Sequence, residues 1–363
     1  DNVRDGYGAV VNRLVRVAVL GVVIIAVGAV GLFGLFKTTP TGFLPQEDQG
    51  AFFVFVQLPD GASLSRTRAT VAQLEKLMEG LPGMQNVLSI VGYSMLDSAV
   101  ESNSAFLVAK LKPFSDRTAA MESADLLIRS TYIGAQQFRT ATTIPANLPP
   151  IIGLSTQGGF QLMLENLEGA PPEEMASAMG GVLAAANQDA HLQRVFSTFT
   201  ASNPSLYLDI DRDKAQALGV SISSVFATLQ SALGGYYVND FNLYGRVWQV
   251  RLQGEAQDRN DTPAIWRIFV RNSKGEMVPL SAIATLRTVV GPQVIMRYNN
   301  YRAISISGEP RPGISSGDAL AAMAAVAGKT LPRGYAFEWT GTAYQEVQAT
   351  GQTGIVLGLA VLF

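Results

Sequence analysis

The sequence contains no cysteine and only one histidine among its 363 residues. Without cysteine it can form neither a disulfide nor a thiolate metal site. A lone imidazole, His191, argues against a histidine-based metal site or catalytic triad. Charge is also scarce, since Lys and Arg number 27 against 29 Asp and Glu, and charged residues make up 15% of the chain. This balance argues against a nucleic-acid-binding protein, which needs a basic surface.

The usual signatures of catalysis are missing as well. No phosphate-binding GxxxxGK loop, no dinucleotide fingerprint and no serine beside a usable base is present. The cluster Asp209, Asp211 and Asp213 resembles the start of a calcium loop, but Lys214 replaces the required Gly and Val220 the required Glu. We expect Asp211 or Asp213 to lie at a helix N-terminus, where the helix dipole favours a carboxylate. The sequence therefore predicts no enzyme activity, metal site or cofactor.

Long uncharged runs stand near both ends of the chain. Val17–Phe36 is uncharged over 20 residues, enough to span roughly 30 Å of hydrocarbon as a helix. It is too long for a cleaved signal peptide, and no A-x-A site follows it. Three arginines precede it and one lysine soon follows, so we predict a transmembrane helix over 17–36 with a cytoplasmic lead and an exported remainder. Gly354–Phe363 is predicted to begin a second membrane helix.

The exported part begins with a regular alternation of strands and helices. Ala51–Leu58 is a continuous apolar run, typical of a buried strand. Ser63–Glu79 has apolar residues at helical spacing, with Ser63 as the expected N-cap. The elements predicted next are strands at Val87–Val91 and Phe106–Leu111, a helix at Ala119–Phe138 and a strand near Thr140–Ile144. This order is that of a ferredoxin-like sandwich.

The same pattern recurs, with an insertion from about 211 to 290. The second α+β sandwich is predicted from strands at Phe160–Glu165, Val195–Phe199, Ser205–Ile210, Arg302–Ser307 and Tyr335–Thr340, and helices at Glu173–Ala186 and Ser316–Ala327. Within the insertion we predict a helix at Ser223–Leu233, a strand at Arg246–Gln253 and a hairpin at Phe269–Leu280 with Lys274-Gly275 at its tip.

One segment carries more apolar residues than a surface connection needs. Leu88, Ile90, Tyr93 and Met95 precede a predicted loop of small residues, Ser94–Ser104. Met and aromatic side chains repack readily, so such a loop is suited to varied apolar ligands. An ordinary loop that caps a sandwich remains the alternative.

Five motifs, in order and spread over nearly the whole chain, carry a family resemblance. They read GFLPQEDQGAFFVFVQLPDGAS, DIDRDKAQALGVS, GGYYVNDFNLYGRVWQV, GEMVPLSAIA and WTGTAYQE. Together they resemble the resistance-nodulation-division (RND) efflux transporters, and in particular their hydrophobe/amphiphile multidrug branch in Gram-negative bacteria.

The resemblance implies that the chain is the C-terminal periplasmic half of such a transporter, with a flanking membrane helix. The implied parts are a lead and transmembrane helix (1–45), a first porter subdomain (46–164), a second porter subdomain (165–209 and 294–342), a docking subdomain (210–293), and a linker with the start of the next helix (343–363).

The resemblance also implies the activity and the partners. Members of the family are inner-membrane homotrimers that export amphiphilic drugs, taken from the periplasm or from membrane lipid, in exchange for protons. They work with a periplasmic adaptor and an outer-membrane channel. A loop that corresponds to Tyr93 through about Ser104 separates an outer from an inner drug pocket. The family loop is rich in Gly and carries two Phe residues, whereas this one has Tyr93 and Met95 and no Gly between Ser94 and Ala105.

Candidate site residues follow from that correspondence. The implied substrate-binding positions are Leu88, Ile90, Tyr93, Met95 and Val108 for the inner pocket, and Phe53, Phe55, Phe160, Leu162 and Leu164 for the outer one. Phe53 and Phe55 share one face of a strand, and a purely structural role in the core is an equal alternative. The hairpin tip implied to face the outer-membrane channel consists of Asn272, Ser273, Lys274, Gly275 and Glu276.

Two other functions are kept open. A heavy-metal exporter of the same superfamily would use methionines, for which Met95 and Met163 are the candidates. A membrane-anchored periplasmic assembly or protein-export factor would have the same sandwiches and no drug pocket. In every case Glu47 and Asp48 are expected to stay hydrated at the junction between membrane and domain.

Overall fold

The N-terminal part of the protein is helical. A computed structural model describes residues 2–16, 18–38, 42, 44, 46–349 and 359. Helix α1 covers Asn2–Arg16 and helix α2 covers Ala18–Thr38. Among the described residues, no helix has both the length and the apolar character needed to cross a membrane. The transmembrane helix predicted for 17–36 is therefore not confirmed, and the run 354–363 lies outside the described residues except for Leu359.

Residues 51–147 form a sheet covered by two helices, which we call the first sandwich. Its elements are β1 (Ala51–Gln57), α3 (Leu64–Glu79), β2 (Met84–Ser94), β3 (Ala99–Leu111), α4 (Ala124–Ala135) and β4 (Thr142–Asn147). The strands pair antiparallel in the order β2-β3-β1-β4. Because side chains alternate along a strand, Phe52 and Val54 point to the helices and are fully buried there with Leu74 and Leu127. Each such side chain contributes about 1.5–3 kcal/mol by leaving water.

Strands β2 and β3 are longer than predicted, and the predicted loop Ser94–Ser104 is wrong. The ladder continues to the pair Ser94 and Ala99, so only residues 95–98 connect the two strands. The Ser/Asn-rich stretch looked like a loop because its polar groups were expected to need water. In the strand they find partners, as Asn103 donates to the carbonyl of Leu58 (3.1 Å). The predicted helix Ala119–Phe138 is also shorter, since only α4 is α-helical there.

Asp48 fixes the segment that precedes β1. It is not the hydrated carboxylate expected from the sequence. Its two oxygens accept hydrogen bonds from the Arg117 guanidinium (2.8 and 3.0 Å) and from the backbone N–H groups of Gly50 and Ala124 (both 2.9 Å). The Arg117 side chain is only 2% exposed. Ala124 is the first residue of α4, so Asp48 caps this helix from a distant segment. Glu47, in contrast, is exposed.

The chain continues into β5 (Phe160–Asn166), α5 (Pro172–Gln188) and β6 (Leu192–Phe196), and then into a separate compact unit, Ser202–Gly291. The elements of that unit are β7 (Asn203–Ile210), α6 (Arg212–Ala217), α7 (Ile222–Leu229), β8 (Tyr236–Leu243), β9 (Arg246–Leu252), β10 (Phe269–Arg271), β11 (Met277–Pro279) and β12 (Ala284–Gly291).

Three antiparallel pairs, β7 with β12, β8 with β9 and β10 with β11, build this unit. Val225, Leu280 and Ile283 lie at the centre of its core. Asp211 is the N-cap of α6 and accepts from the N–H of Lys214 (3.0 Å), which confirms the predicted helix start. The helix predicted over Ser223–Leu233 ends at Leu229, because a turn of π-helix follows it.

The remaining elements complete the second sandwich, which belongs to the same compact unit as the first. They are β13 (Met296–Tyr298), β14 (Tyr301–Pro310), α8 (Ser316–Thr330) and β15 (Tyr335–Thr340). The sheet order is β13-β14-β5-β15, and β6 also pairs with β14. Helices α5 and α8 bury Val182 and Met323 against Leu164 and Ile304 of the sheet. The predicted α+β class is confirmed.

The Asp48 linkage predicts a specific loss of stability. Burial pushes the pKa of Asp48 up, but the hydrogen bonds from Arg117, Ala124 and Gly50 outweigh it and hold the pKa below the usual 3.8. D48N should lower the free energy of unfolding by about 2 kcal/mol at pH 7, because a charge-assisted network is lost. Thermal unfolding of the purified complete protein measures the effect.

The pKa of Asp48 is lower in the folded protein than in the unfolded chain. The network therefore contributes its full stabilisation at pH values above the pKa of the unfolded chain, and this stabilisation is lost as the pH falls through the pKa of the folded protein. The difference between wild type and D48N should therefore shrink below about pH 4. E47Q, which changes the exposed neighbour, should unfold like wild type. Equal unfolding midpoints of D48N and E47Q at pH 7 would contradict the assignment.

Candidate functional site

A cavity of about 900 Å³ lies between the two sandwiches. One wall is α4 of the first sandwich. The other is formed by the ends of β6 and β14 and the start of α8 in the second. Its lining includes Gln46, Asp125, Leu126, Ile128, Arg129, Tyr132, Gly159, Phe160, Arg194, Glu309, Arg311, Ser316, Leu320 and Glu346. The volume and the mixture of apolar and charged groups are those of a small-molecule site.

The sequence of α4 divides its residues between core and cavity. Leu127 and Thr131 are buried toward the first sheet, whereas Ile128 is buried in the core and also contributes to the cavity lining. Leu126 and Tyr132, on the remaining surface of the helix, are 40% and 37% exposed and line the cavity. The Asp48 linkage holds the start of α4, so it also fixes the position of this wall.

The opposite wall carries an ion pair between Arg194 of β6 and Glu309 of β14, whose side chains are 26% and 17% exposed. The ladder between these strands shifts register around Gly308. Arg194 occupies the left-handed region with φ 51°, where glycine is usual. An arginine in this backbone conformation costs of order 1–3 kcal/mol, and residues strained in this way cluster at functional sites.

Burial raises the pKa of Glu309, and the negative charge of Asp125 on α4 adds to the rise, while the ion pair with Arg194 offsets part of it. Arg129 also faces the cavity, and no ion pair of its guanidinium is present among the described residues. Each wall of the cavity therefore carries both a positive and a negative side chain.

A second apolar feature lies on the face of the first sheet that the helices leave free. The ring centroids of Phe53 and Phe106 are 4.9 Å apart, and those of Phe55 and Phe106 are 5.6 Å apart. Met95, Leu96, Val108 and Ile144 pack against these rings. We call these residues the aromatic cluster: Phe53, Phe55, Met95, Leu96, Phe106, Val108, Ile144 and Ala146.

The structure brings part of the predicted inner and outer pockets together. Phe53, Phe55, Met95 and Val108 all belong to the aromatic cluster. On the edge strand β2, Leu88 and Ile90 are 61% and 43% exposed, and they pair across the ladder with Val108 and Phe106. Tyr93 lies half-buried near the end of that strand.

Phe160, Leu162 and Leu164 lie elsewhere, in the core of the second sandwich. Of these three, only Phe160 also lines the cavity. A role of any of these residues in substrate binding stays a prediction. Sequence reasoning missed Phe106, although its place in an apolar run beside β1 was a usable signal. It also missed Arg194 and Glu309, which are 115 positions apart and share no local pattern.

The predicted hairpin at Phe269–Leu280 is confirmed by the pairing of β10 with β11. Its tip is closed by the Asn272 side chain, which accepts from the N–H groups of Lys274 (3.0 Å) and Glu276 (2.9 Å). Gly275 has φ 88°, a conformation that favours glycine. The tip is thus a well-defined turn, and its role in docking stays a prediction.

Comparison with known proteins identifies the family. The model of the AcrB/AcrD/AcrF family matches residues 1–363. The chain belongs to the AcrB/AcrD/AcrF family. It is 36% identical over 329 residues to the multidrug export protein AcrF of Escherichia coli K12, covering 90% of this chain and 32% of the relative.

Other members of the AcrB/AcrD/AcrF family show similar agreement. The multidrug/solvent efflux pump membrane transporter MepB of Pseudomonas putida is 35% identical over 365 residues, 99% of this chain and 34% of the relative. The multidrug resistance protein MdtF of Escherichia coli K12 is 32% identical over 331 residues, 90% of this chain and 32% of the relative. The chain spans about a third of the length of these curated relatives. The predicted family resemblance is confirmed.

The ion pair in the cavity wall of this family member gives a testable pH dependence. R194M keeps the length of the side chain but leaves Glu309 buried without its cation, so the pKa of Glu309 should rise further. At pH 8 we expect a loss of about 1–3 kcal/mol in the free energy of unfolding. In R194M the pKa of Glu309 is higher in the folded protein than in the unfolded chain. The variant should therefore regain stability as the pH falls toward 5 and Glu309 becomes protonated.

The measurement is the thermal unfolding midpoint of the complete protein at the two pH values. R129M removes an arginine from the same cavity without breaking a described ion pair. Its unfolding midpoint should therefore stay close to that of wild type at both pH values. A loss for R194M that is the same at pH 8 and pH 5 would contradict the role of Glu309.

Proposed function

We propose that this chain is the periplasmic porter part of an inner-membrane efflux transporter that exports amphiphilic drugs in exchange for protons. The observation that supports it best is the cavity of about 900 Å³ between the two sandwiches, in a member of the AcrB/AcrD/AcrF family. The substrate comes from the periplasm or the membrane lipid and passes through this cavity. The names of the relatives describe export of drugs and solvents.

The cavity lining supports an amphiphilic substrate. Leu126, Tyr132 and Phe160 offer apolar contact, whereas Arg129 and Asp125 on α4 offer charge of either sign. A ligand with an apolar body and one polar or charged end satisfies both kinds of group at once. The aromatic cluster is a second apolar surface on which such a body can stack.

The parts of the chain take the roles implied by the family resemblance. We assign each sandwich to a ferredoxin-like porter subdomain, and the unit Ser202–Gly291 to the docking subdomain, whose tip faces an outer-membrane channel. The bounds implied by the resemblance (46–164, 165–209 with 294–342, and 210–293) shift slightly, because β5 pairs within the second sandwich and β7 pairs with β12 of the separate unit. The strand order of the first sheet and its antiparallel pairing support the ferredoxin-like assignment. Residues 17–36 and 354–363 are assigned to the membrane, and a periplasmic adaptor completes the assembly.

The hairpin β8–β9 supports assembly into a homotrimer. All of its strand residues are exposed, among them Phe241, Val247 and Trp248. A two-stranded hairpin is at best marginally stable alone in water, and exposed apolar patches mark interaction surfaces. We assign its apolar side chains to a contact with a neighbouring copy of the same chain.

Heavy-metal export receives less support. Met95 packs in the aromatic cluster, and Met163 is buried in β5 of the second sandwich. AcrF, MepB and MdtF are named for drugs and solvents. An assembly or protein-export factor would not need a cavity of this size between the sandwiches.

A bulky substitution in the cavity tests the proposal. L126W places an indole in the space that a substrate would occupy, and a loss of ~1 kcal/mol of binding corresponds to about a fivefold weaker affinity. The drug concentration that inhibits growth should therefore fall by about fivefold or more in cells that depend on this transporter. I133W alters the same helix at a position that is 60% exposed and does not line the cavity, so it should leave resistance unchanged.

Protein level is measured for both variants by immunoblot. Wild-type resistance for L126W at normal protein level would contradict passage through the cavity. Absence of any resistance from the wild-type protein, in a strain that lacks other pumps, would contradict the proposed function itself.

A further inference from the structure

Helix α4 presents an arginine to the cavity without giving it a partner. Arg129 lines the cavity and is exposed. Asp125 lies four residues earlier, a spacing at which opposite charges on a helix commonly pair. In the part of the chain that the structure describes, Arg129 nonetheless forms neither an ion pair nor a side-chain hydrogen bond. All the N–H donors of its guanidinium are therefore available to a ligand.

The other arginines of the lining already have partners. Arg194 forms the ion pair with Glu309. The Nε of Arg311 donates to the carbonyl of Leu192 (2.8 Å). Among the described residues of the lining, Arg129 is thus the one arginine whose side chain has no partner.

The acidic residues of the lining do not neutralise Arg129. Glu309 belongs to the ion pair described above, and Glu346 accepts from the hydroxyl of Ser316 (2.7 Å). Asp125 lies in the first turn of α4, where the helix dipole already stabilises a carboxylate. Arg129 lies in the middle of the same helix, where the dipole offers no such stabilisation. A negatively charged ligand group is therefore favoured beside Arg129.

Apolar side chains flank Arg129 on the same helix. Leu126 lies three residues before it and Tyr132 three residues after it, and both line the cavity. Residues at this spacing are neighbours on the surface of a helix. Phe160 and Leu320 of the second sandwich contribute further apolar surface to the lining. One cationic contact between apolar contacts suits an acidic group attached to an apolar body.

We propose that Arg129 is a specificity-determining residue of the cavity, and that it binds the carboxylate, sulfonate or phosphate group of an anionic amphiphile. A guanidinium holds such groups through paired, charge-assisted hydrogen bonds. Passage of this substrate through the cavity rests on the proposed function, whereas its charge and the residue that selects it are new.

Fluorescence titration of the purified complete protein with matched probes tests the role of Arg129. The probes are a dansyl-labelled dodecanoate, its primary amide and the corresponding trimethylammonium ion, which share one apolar body. Wild type should bind the carboxylate about tenfold more tightly than the amide, as for a hydrogen bond to a charged group. R129M should weaken binding of the carboxylate about tenfold and change binding of the amide less than about twofold. R129K keeps the charge without the paired donors, so it should retain part of the preference.

Two further variants locate the effect. Arg139 is exposed and does not line the cavity, so R139M, which removes the same charge, should bind all three probes like wild type. L126W should weaken binding of all three, because its indole occupies the cavity. Added salt should weaken binding of the carboxylate and leave binding of the amide unchanged.

Four results overturn the proposal. They are equal affinities of wild type for carboxylate and amide, tighter binding of the cation than of the carboxylate, an equal loss for carboxylate and amide in R129M, and the same loss in R139M as in R129M. Undiminished binding of the probes by L126W overturns it too, because the probes would then bind outside the cavity.

Export of the carboxylate and the amide is then compared in cells with equal protein level. R129M should lower export of the carboxylate relative to the amide, whereas R139M should keep the wild-type ratio. An unchanged ratio in R129M overturns the role of Arg129 in substrate selection. If wild type prefers the carboxylate in binding but exports neither probe, the proposed function fails while the preference stands. If wild type exports drugs but binds neither probe, the proposed function stands and the role of Arg129 fails.

Discussion

The carboxylate of Asp48 is the contact on which the arrangement of the candidate site depends. It accepts four hydrogen bonds, from Arg117, Gly50 and Ala124, and thereby joins the segment before β1 to the first turn of α4. Two constraints meet there, since Arg117 is almost fully buried and needs a counter-ion, and the N-terminus of α4 needs acceptors. One residue satisfies both. Because the following turns of α4 form a wall of the cavity, the same bonds also fix the position of that wall.

The two candidate surfaces differ in physical character. The cavity has charges of both signs on opposed walls, including an ion pair held by a strained arginine at a shift in strand register. The aromatic cluster offers rings and aliphatic groups and has almost no space left under the turn that covers it. Neither surface demands one particular ligand shape.

The sequence was sufficient for features that arise from local periodicity. The continuous apolar run Ala51–Leu58 predicts the strand, and the two-residue period of a strand predicts the shared face of Phe53 and Phe55. Helical spacing with Ser63 as N-cap predicts α3. Long-range polar pairs escaped prediction, because Asp48 and Arg117 are 69 positions apart and no pattern links them. The stretch Ser102–Ser104 misled for a related reason: its polar side chains suit a loop unless distant partners such as the carbonyl of Leu58 are known. The quoted motifs predicted the family, whereas the charged cavity walls became apparent only in three dimensions.

The central claim is that the space between the sandwiches is occupied by substrate, and protection from labelling tests it most directly. Tyr132 lines the cavity, whereas the next residue, Ile133, does not. In the complete protein, Y132C and I133C are each labelled with maleimide in the presence and absence of an amphiphilic dye. The account predicts that the dye slows labelling at position 132 in a saturable manner and leaves position 133 unaffected. Equal rates with and without dye at position 132, under conditions in which the dye is exported, would contradict it.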